Sequence, residues 1–228
     1  LHSNLSESER LWKRALSIAE RASGPDHPNT AYNMDGLGNV YNDLGKFAEG
    51  EALLTRALAI QQKMLGSGHM EVGVTLNDLG RLFRNNGDPA KGERYIKQAL
   101  DIFQKTFGGE HSLTIMATTH LAFVVSQQNR YAEAEPLFLR ALAASERLRG
   151  PIHEINAFIL MGLGDVKAFQ KKSVQAEAYY RRAIEVAEKA LGAKSLVLSS
   201  CLGGCADFLR KLNRIAEADQ MSARAKAI

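Results

Sequence analysis

The feature that most constrains the fold of this chain is an interval of 42 residues at which equivalent residue types recur. An alanine column keeps this interval along the chain, and columns of glycine, histidine and acidic residues keep the same register. The alanines are Ala15, Ala57, Ala99, Ala141, Ala183 and Ala225, and the glycines are Gly24, Gly66, Gly108, Gly150 and Gly192. Several columns in one register predict a series of structural repeats, each of which shelters its apolar face against its neighbours.

This register divides the 228 residues into one partial repeat and five further repeats. The partial repeat, residues 1–26, is expected to supply only a second helix. The further repeats are expected at 27–68, 69–110, 111–152, 153–194 and 195–228.

Each repeat is predicted to be a pair of helices. In repeat 27–68, apolar residues at intervals of three and four favour a first helix over 28–44 and a second helix over 48–65. Gly66 is expected to close the second helix in a left-handed conformation, which glycine reaches without a Cβ penalty. The predicted fold class is all-α, a right-handed α–α superhelix of 42-residue repeats with a concave inner surface.

Small residues in the middle of helices need a structural reason, because glycine costs about 1 kcal/mol relative to alanine there. The first helices carry one small column, and the second helices carry another just before the acidic column. The first is Gly38, Gly80, Ala122, Gly164 and Ala206, and the second is Gly50, Gly92, Ala134, Ala176 and Ala218. Two facing small columns predict a close approach of the paired helices.

The histidine and acidic columns are interpreted as structural. His27, His69, His111 and His153 are expected to cap or pack at helix starts, with Ser195 at the next equivalent position. Equivalent positions are separated by about 10 Å in stacked helix pairs, which is too far for four ligands around one metal ion. The acidic column, which includes Glu51, is expected in the first turn of each second helix, where negative charge favours the helix dipole.

The sequence predicts no enzyme, no cofactor and no metal site. His153-Glu154 has no second histidine at residue 157, so the zinc-protease pattern is absent. No phosphate-binding Gly-Lys-Ser/Thr run and no serine elbow occurs. Cys201 and Cys205 lie four residues apart, and small buried residues are favoured over a redox pair or half a metal site.

Composition limits the other function classes. The formal net charge is +4 and is not clustered, which argues against nucleic-acid binding. No apolar run approaches the roughly 18 residues that cross a membrane, and the start of the chain is polar, so the cytoplasm is the default expectation.

These columns resemble the tetratricopeptide repeats of kinesin light chains and of their bacterial relatives. The resemblance is carried by Leu76-Asn77-Asp78-Leu79-Gly80, by Arg130-Tyr131-Ala132-Glu133-Ala134-Glu135, by Arg140-Ala141-Leu142 and by His27-Pro28, and it extends from Glu7 to Ala225. It implies a scaffold that binds a peptide or partner protein in its concave groove. The paired asparagine of the family pattern survives only as Asn77, so no particular cargo follows from it.

The resemblance implies that the first helices line the groove. The candidate partner-binding residues lie opposite the buried stripe of these helices and repeat at the 42-residue interval. They are Tyr32, Asp35, Asn39, Asn42, Asn77, Arg81, Arg84, Thr119, Phe123, Ser126, Phe158, Asp165, Asp207 and Arg210.

Two of these assignments have alternatives. Arg81 and Arg84 could clamp a carboxylate or phosphate, or they could pair with Asp43 or Asp78 on a solvated wall. Phe123 could be an exposed anchor or a core residue.

A second hypothesis for function is a regulatory or oligomerisation segment of a larger protein. The partial repeat would leave Leu11 and Trp12 facing an absent first helix or a neighbouring surface, which predicts possible self-association.

Overall fold

The computed structural model describes residues 2–228, with side chains described from residue 5 onward, and this part of the chain contains helices and no strand. The helices are α1 His2–Ser23, α2 Pro28–Asp43, α3 Phe47–Leu65, α4 Met70–Asn85, α5 Pro89–Phe107, α6 Ser112–Gln127, α7 Tyr131–Arg149, α8 Glu154–Phe169, α9 Ser173–Leu191, α10 Leu196–Lys211 and α11 Ile215–Lys226. No helix in this part is long and apolar enough to cross a membrane.

The chain forms two compact units. The first unit extends through Gly108 and contains α1 and the hairpins α2–α3 and α4–α5. The second unit, Gly109–Ile228, contains the hairpins α6–α7, α8–α9 and α10–α11. The predicted helix pairs are therefore confirmed.

The close approach of the small columns is also confirmed. A Cβ atom added to Gly38 would lie 2.8 Å from Leu54 Cγ and 3.4 Å from the carbonyl oxygen of Gly50. A Cβ atom added to Gly80 would lie 2.3 Å from Ile96 Cγ1 and 3.0 Å from the carbonyl oxygen of Gly92. Facing glycines thus bring the two helices of a hairpin nearer than larger side chains allow.

The histidine column caps the first helices. Each histidine Nδ1 accepts the backbone N–H two residues later, at 3.1 Å for His27, 3.2 Å for His69, 3.3 Å for His111 and 3.3 Å for His153. Ser195 does the same with its hydroxyl, which accepts from Val197 N–H at 3.2 Å. The capping interpretation is confirmed, and it explains why serine can replace histidine.

Two local expectations are wrong. Gly66 has φ 88° and ψ 150°, so it reaches the positive-φ region that is almost exclusive to glycine but not the left-handed helical conformation. Helix α3 begins at Phe47, which places Glu51 beyond its first turn, and the Glu51 carboxylate instead pairs with Lys91 at 3.1 Å.

The expectation for Trp12 is wrong as well. Its ring covers Gly36 of α2, where an added Cβ would lie 2.6 Å from the indole, and lies 6.0 Å from the Tyr32 ring. Helix α1 therefore has a neighbour for Trp12, whereas Leu11 remains 50% exposed. Cys201 and Cys205 are buried free thiols, as expected from the packing interpretation.

Candidate functional site

The candidate residues of the first unit belong to a hydrogen-bonded polar cluster between α2 and α4. Asn39 Nδ2 donates to Asp78 Oδ2 at 2.6 Å and to Asp35 Oδ2 at 3.3 Å. Asn39 Oδ1 accepts from Arg81 Nη2 at 2.8 Å. The asparagine amide thus ties a pair of carboxyl groups to a guanidinium, with both its donor and its acceptor in use.

The two arginines of this cluster already have partners within the chain. Arg81 Nη1 lies 3.4 Å from Asp43 Oδ1. Of the two alternatives for Arg81, the structure therefore has the one in which it pairs with an aspartate of the chain. Arg84 Nε and Nη2 donate to Asn85 Oδ1 at 3.2 and 3.0 Å. Burial, together with the charge of Arg81, lowers the pKa of Arg84 to about 10. A carboxylate or phosphate from a partner would have to compete with these contacts.

Four candidates are buried rather than accessible. The exposed fraction is 8% for Asp35, 3% for Asn42, 0% for Asn77 and 3% for Thr119. Thr119 Oγ1 donates back to the carbonyl oxygen of Ile115 at 2.8 Å, and Asn42 Oδ1 accepts from Asn85 at 3.0 Å. The expectation that these side chains face a partner is wrong, because packing covers all four and the Thr119 hydroxyl is bonded to its own helix.

Three further candidates lie at the surface. Tyr32 is 59% exposed and Phe158 is 37% exposed. Arg210 bonds to Asp207 at 3.1 Å and to Ser222 at 2.6 Å, which ties α10 to α11.

The second unit contains a cavity of about 680 Å³. Among its lining residues are four candidates, Phe123, Ser126, Asp165 and Asp207, carried by α6, α8 and α10. Phe123, Asp165 and Asp207 occupy equivalent repeat positions, so the 42-residue register brings residues of three successive first helices to the same cavity. Its volume lies within the roughly 300–1,000 Å³ range of ligand pockets.

Aromatic rings make up much of the cavity wall. Tyr131 stacks on Phe169 with ring centroids 4.6 Å apart, and Tyr180 lies 5.3 Å from Phe208. Phe123 meets the buried Phe138 edge-on at 4.9 Å while it also borders the cavity, so it is both a packing residue and a wall residue.

A carboxyl group and a phenol meet in this cavity. Tyr180, on α9, is buried, and its hydroxyl donates to Asp165 Oδ1 of α8 at 2.5 Å. The ring reaches α8 because Gly164 stands there, since an added Cβ would lie 3.0 Å from it. Burial raises the pKa of Asp165, and the hydrogen bond from Tyr180 and the charge of Lys211 oppose that rise.

Sequence reasoning did not find Tyr131, Phe169, Tyr180, Phe208, Lys171 and Lys211, which also line the cavity. One signal was available for Tyr180. Its equivalents in earlier repeats are Leu54, Ile96 and Phe138, all apolar core residues. A hydroxyl in such a column requires a buried acceptor, and Asp165 supplies it.

A family model described as tetratricopeptide repeat matches residues 3–63, 32–91, 71–147 and 154–228. No curated protein matches the chain significantly.

Solved structures resemble the whole chain at low sequence identity. BtubC (BKLC) from P. vanneervenii is 18% identical with a TM-score of 0.75, over 98% of this chain and 90% of that one. A Podosopora anserina structure described as "putative kinesin light chain nearly identical TPR-like repeats" is 20% identical with a TM-score of 0.68, over 88% of this chain and 95% of that one. NprR in complex with its cognate peptide NprX is 15% identical with a TM-score of 0.75, over 97% of this chain and 61% of that one. At these identities the likeness shows the fold alone.

Proposed function

Because the chain belongs to the tetratricopeptide repeat family, we propose that it is a protein-interaction module that binds a peptide segment of a partner protein. The observation that carries the proposal is the cavity of the second unit, which offers aromatic walls and a partly buried carboxyl group. Aromatic surfaces combined with placed polar groups that fix orientation are typical of ligand sites.

The candidate residues that are exposed or only partly buried extend the proposed surface within each unit. In the second unit it comprises Phe123, Ser126, Asp165 and Asp207 in the cavity wall, together with the exposed ring of Phe158. In the first unit Tyr32 supplies an exposed ring, and Arg81 and Arg84 supply cationic groups. NprR, which shares the fold, is known in complex with a peptide, and this supports an extended peptide as the occupant.

The proposal is tested by selecting displayed random dodecapeptides against the immobilised chain. We expect enriched peptides that bind the chain with micromolar affinity in calorimetry. Phe169→Ala removes an exposed ring from the cavity wall and should weaken this binding about tenfold, because aromatic anchors in pockets dominate such interfaces.

Leu139→Ala is the matched control, since Leu139 is also a large exposed side chain but lies on a second helix outside the cavity lining. Binding should be unchanged in this variant. The proposal fails if no peptide is enriched, or if both variants bind the selected peptides as the parent chain does.

A further inference from the structure

We propose that the cavity of the second unit takes a cationic side chain, arginine or lysine, of the partner peptide, with Asp165 as its counter-ion and the Phe169 ring as the surface on which it rests. This inference rests on the proposed function and adds the chemistry of the residue that is recognised.

The first observation is a partly buried carboxyl group that forms no direct ion pair in the described part of the chain. Asp165 accepts one hydrogen bond, from Tyr180, and within the described chain no lysine or arginine nitrogen lies within ion-pair distance of it. Buried charges are normally paired, because removing a charged group from water costs several kcal/mol. The same helix shows the usual arrangement two residues away, where buried Lys167 lies 2.5 Å from Glu135.

The second observation is that the chain already places a cation on the adjacent ring. The ammonium of Lys211 lies 5.4 Å from the centroid of Phe169, within the roughly 6 Å of a cation–π contact. Tyr131 stacks on the same ring and holds it in place. Lys211 itself is exposed and forms no ion pair in the described part of the chain, so it can move into solvent.

The third observation is the balance of charge around the cavity. Asp207 adds a second carboxylate, which pairs with Arg210 at 3.1 Å at the surface. Lys171 also borders the cavity, but it is exposed in the turn after α8. Asp165 is therefore a carboxyl group of the cavity wall that has no direct ion pair in the described chain, although Lys211 stands nearby, and this favours a cationic guest over an anionic one. A guanidinium can donate two hydrogen bonds to such a carboxylate while its plane lies on an aromatic ring.

The test uses four blocked tripeptides and the full chain, with binding followed by amide chemical shifts in NMR spectra. Their central residues are arginine, lysine, citrulline and glutamate. Citrulline has nearly the shape of arginine without its charge. We expect saturable shifts around Asp165 and Phe169 with the arginine and lysine peptides. The citrulline and glutamate peptides should bind with affinities at least about tenfold weaker.

Two variants separate recognition from a purely structural role. Asp165→Asn keeps an acceptor for Tyr180 and should abolish the preference for arginine over citrulline. Lys211→Met should tighten arginine binding about threefold, because the guest no longer competes with the chain's own ammonium. Asp101→Asn and Lys189→Met change the same charges on exposed pairs outside the cavity and should leave the affinities unchanged.

Equal binding of the arginine and citrulline peptides, stronger binding of the glutamate peptide, or an unchanged preference in Asp165→Asn would overturn the inference. The proposed function is decided separately by the peptide selection. Enriched peptides without a cationic residue would leave that function standing and remove this inference.

Discussion

At the residue scale, Asp35 carries a carboxyl group whose ionisation opposes folding. Burial and the neighbouring charge of Asp78 raise the pKa of Asp35 well above its usual range. Above pH 4 the unfolded chain has lost this proton while the folded chain keeps it. The folded state then binds more protons, so stability falls as pH rises toward the raised pKa.

We therefore predict that Asp35→Asn unfolds at higher urea concentration than the parent chain at pH 7 to 8. The amide is neutral and occupies the position that Asn77 holds in the next repeat. The expected gain is about 1.4 kcal/mol for each unit by which the pKa is raised. Urea denaturation between pH 4 and 8 measures it, and Asp101→Asn on an exposed face serves as control. A parent chain whose stability is constant over this range would contradict the prediction.

A second residue-scale feature is the backbone at Lys171. This lysine has φ 60°, as do Asn129 at 61° and Asn213 at 60° in equivalent turns. The first unit has Gly45 and Gly87 at the same repeat position, with φ of 72° and 84°. Lysine is disfavoured in this region because its Cβ approaches the backbone.

We predict that Lys171→Gly stabilises the second unit by about 0.5–1 kcal/mol, measured from the urea midpoint. Lys171→Asn should give a smaller gain. Neither variant alters a contact of the core, so a loss of stability in both would show that Lys171 makes a stabilising interaction that outweighs its backbone strain.

At the scale of the element, the glycines of the first helices have opposite roles that the sequence pattern does not distinguish. Gly80 faces α5 closely, whereas a Cβ atom added to Gly203 of α10 would meet nothing within 4 Å. Glycine in mid-helix is tolerated at position 80 because the packing of α4 against α5 requires it. At position 203 packing does not require a glycine.

Gly80→Ala should therefore destabilise the chain by about 1–3 kcal/mol, since Ile96 and the carbonyl oxygen of Gly92 stand in the way of the added methyl group. Gly203→Ala should stabilise it by up to about 1 kcal/mol through helix propensity. Thermal and urea unfolding of the pair provide the comparison. If both substitutions shift stability in the same direction, the close approach of α4 and α5 is not what retains Gly80.

At the scale of the whole molecule, the acidic column joins each hairpin to the next within both units. Glu9 pairs with Lys46 at 2.9 Å and Glu51 with Lys91 at 3.1 Å in the first unit. In the second unit Glu135 pairs with Lys167, and Glu177 pairs with Arg214 at 2.5 Å. The column predicted to favour the helix dipole is thus a set of ion pairs between successive hairpins.

The strength of these pairs should depend on burial. Lys167 has 8% of its side chain exposed, so Glu135→Gln leaves a buried ammonium unpaired and should cost about 3 kcal/mol. Glu51→Gln, in a pair whose side chains are 31% and 39% exposed, should cost less than about 1 kcal/mol. Equal losses in urea denaturation would rule out burial as the deciding factor.

The Glu135 pair also predicts a pH dependence at the acidic end. The hydrogen bond from Lys167 holds the pKa of Glu135 below its usual range. The contribution of this ion pair to the free energy of unfolding is therefore complete above the unfolded pKa of about 4.3. It is lost as pH falls through the lower pKa of the folded state. In Glu135→Gln, the fall in the free energy of unfolding that the Glu135 pair causes below pH 4.5 should be absent, as measured by urea denaturation at a series of pH values.

The sequence by itself determined the helical repeats, their helix pairs, the facing glycines and the histidine caps. These features depend on residues near one another in a repeat and recur often enough to be recognised, as with Gly38 opposite Gly50 and His69 before α4. Only the tertiary structure decided which polar residues of the first helices remain accessible. Asn77 and Asp165 both lie on the face predicted to line the groove, yet one is packed between helices and the other borders a cavity. The difference arises because accessibility depends on side chains from neighbouring hairpins, such as Tyr180 against Asp165, and these contacts are not encoded in the periodicity of any single helix.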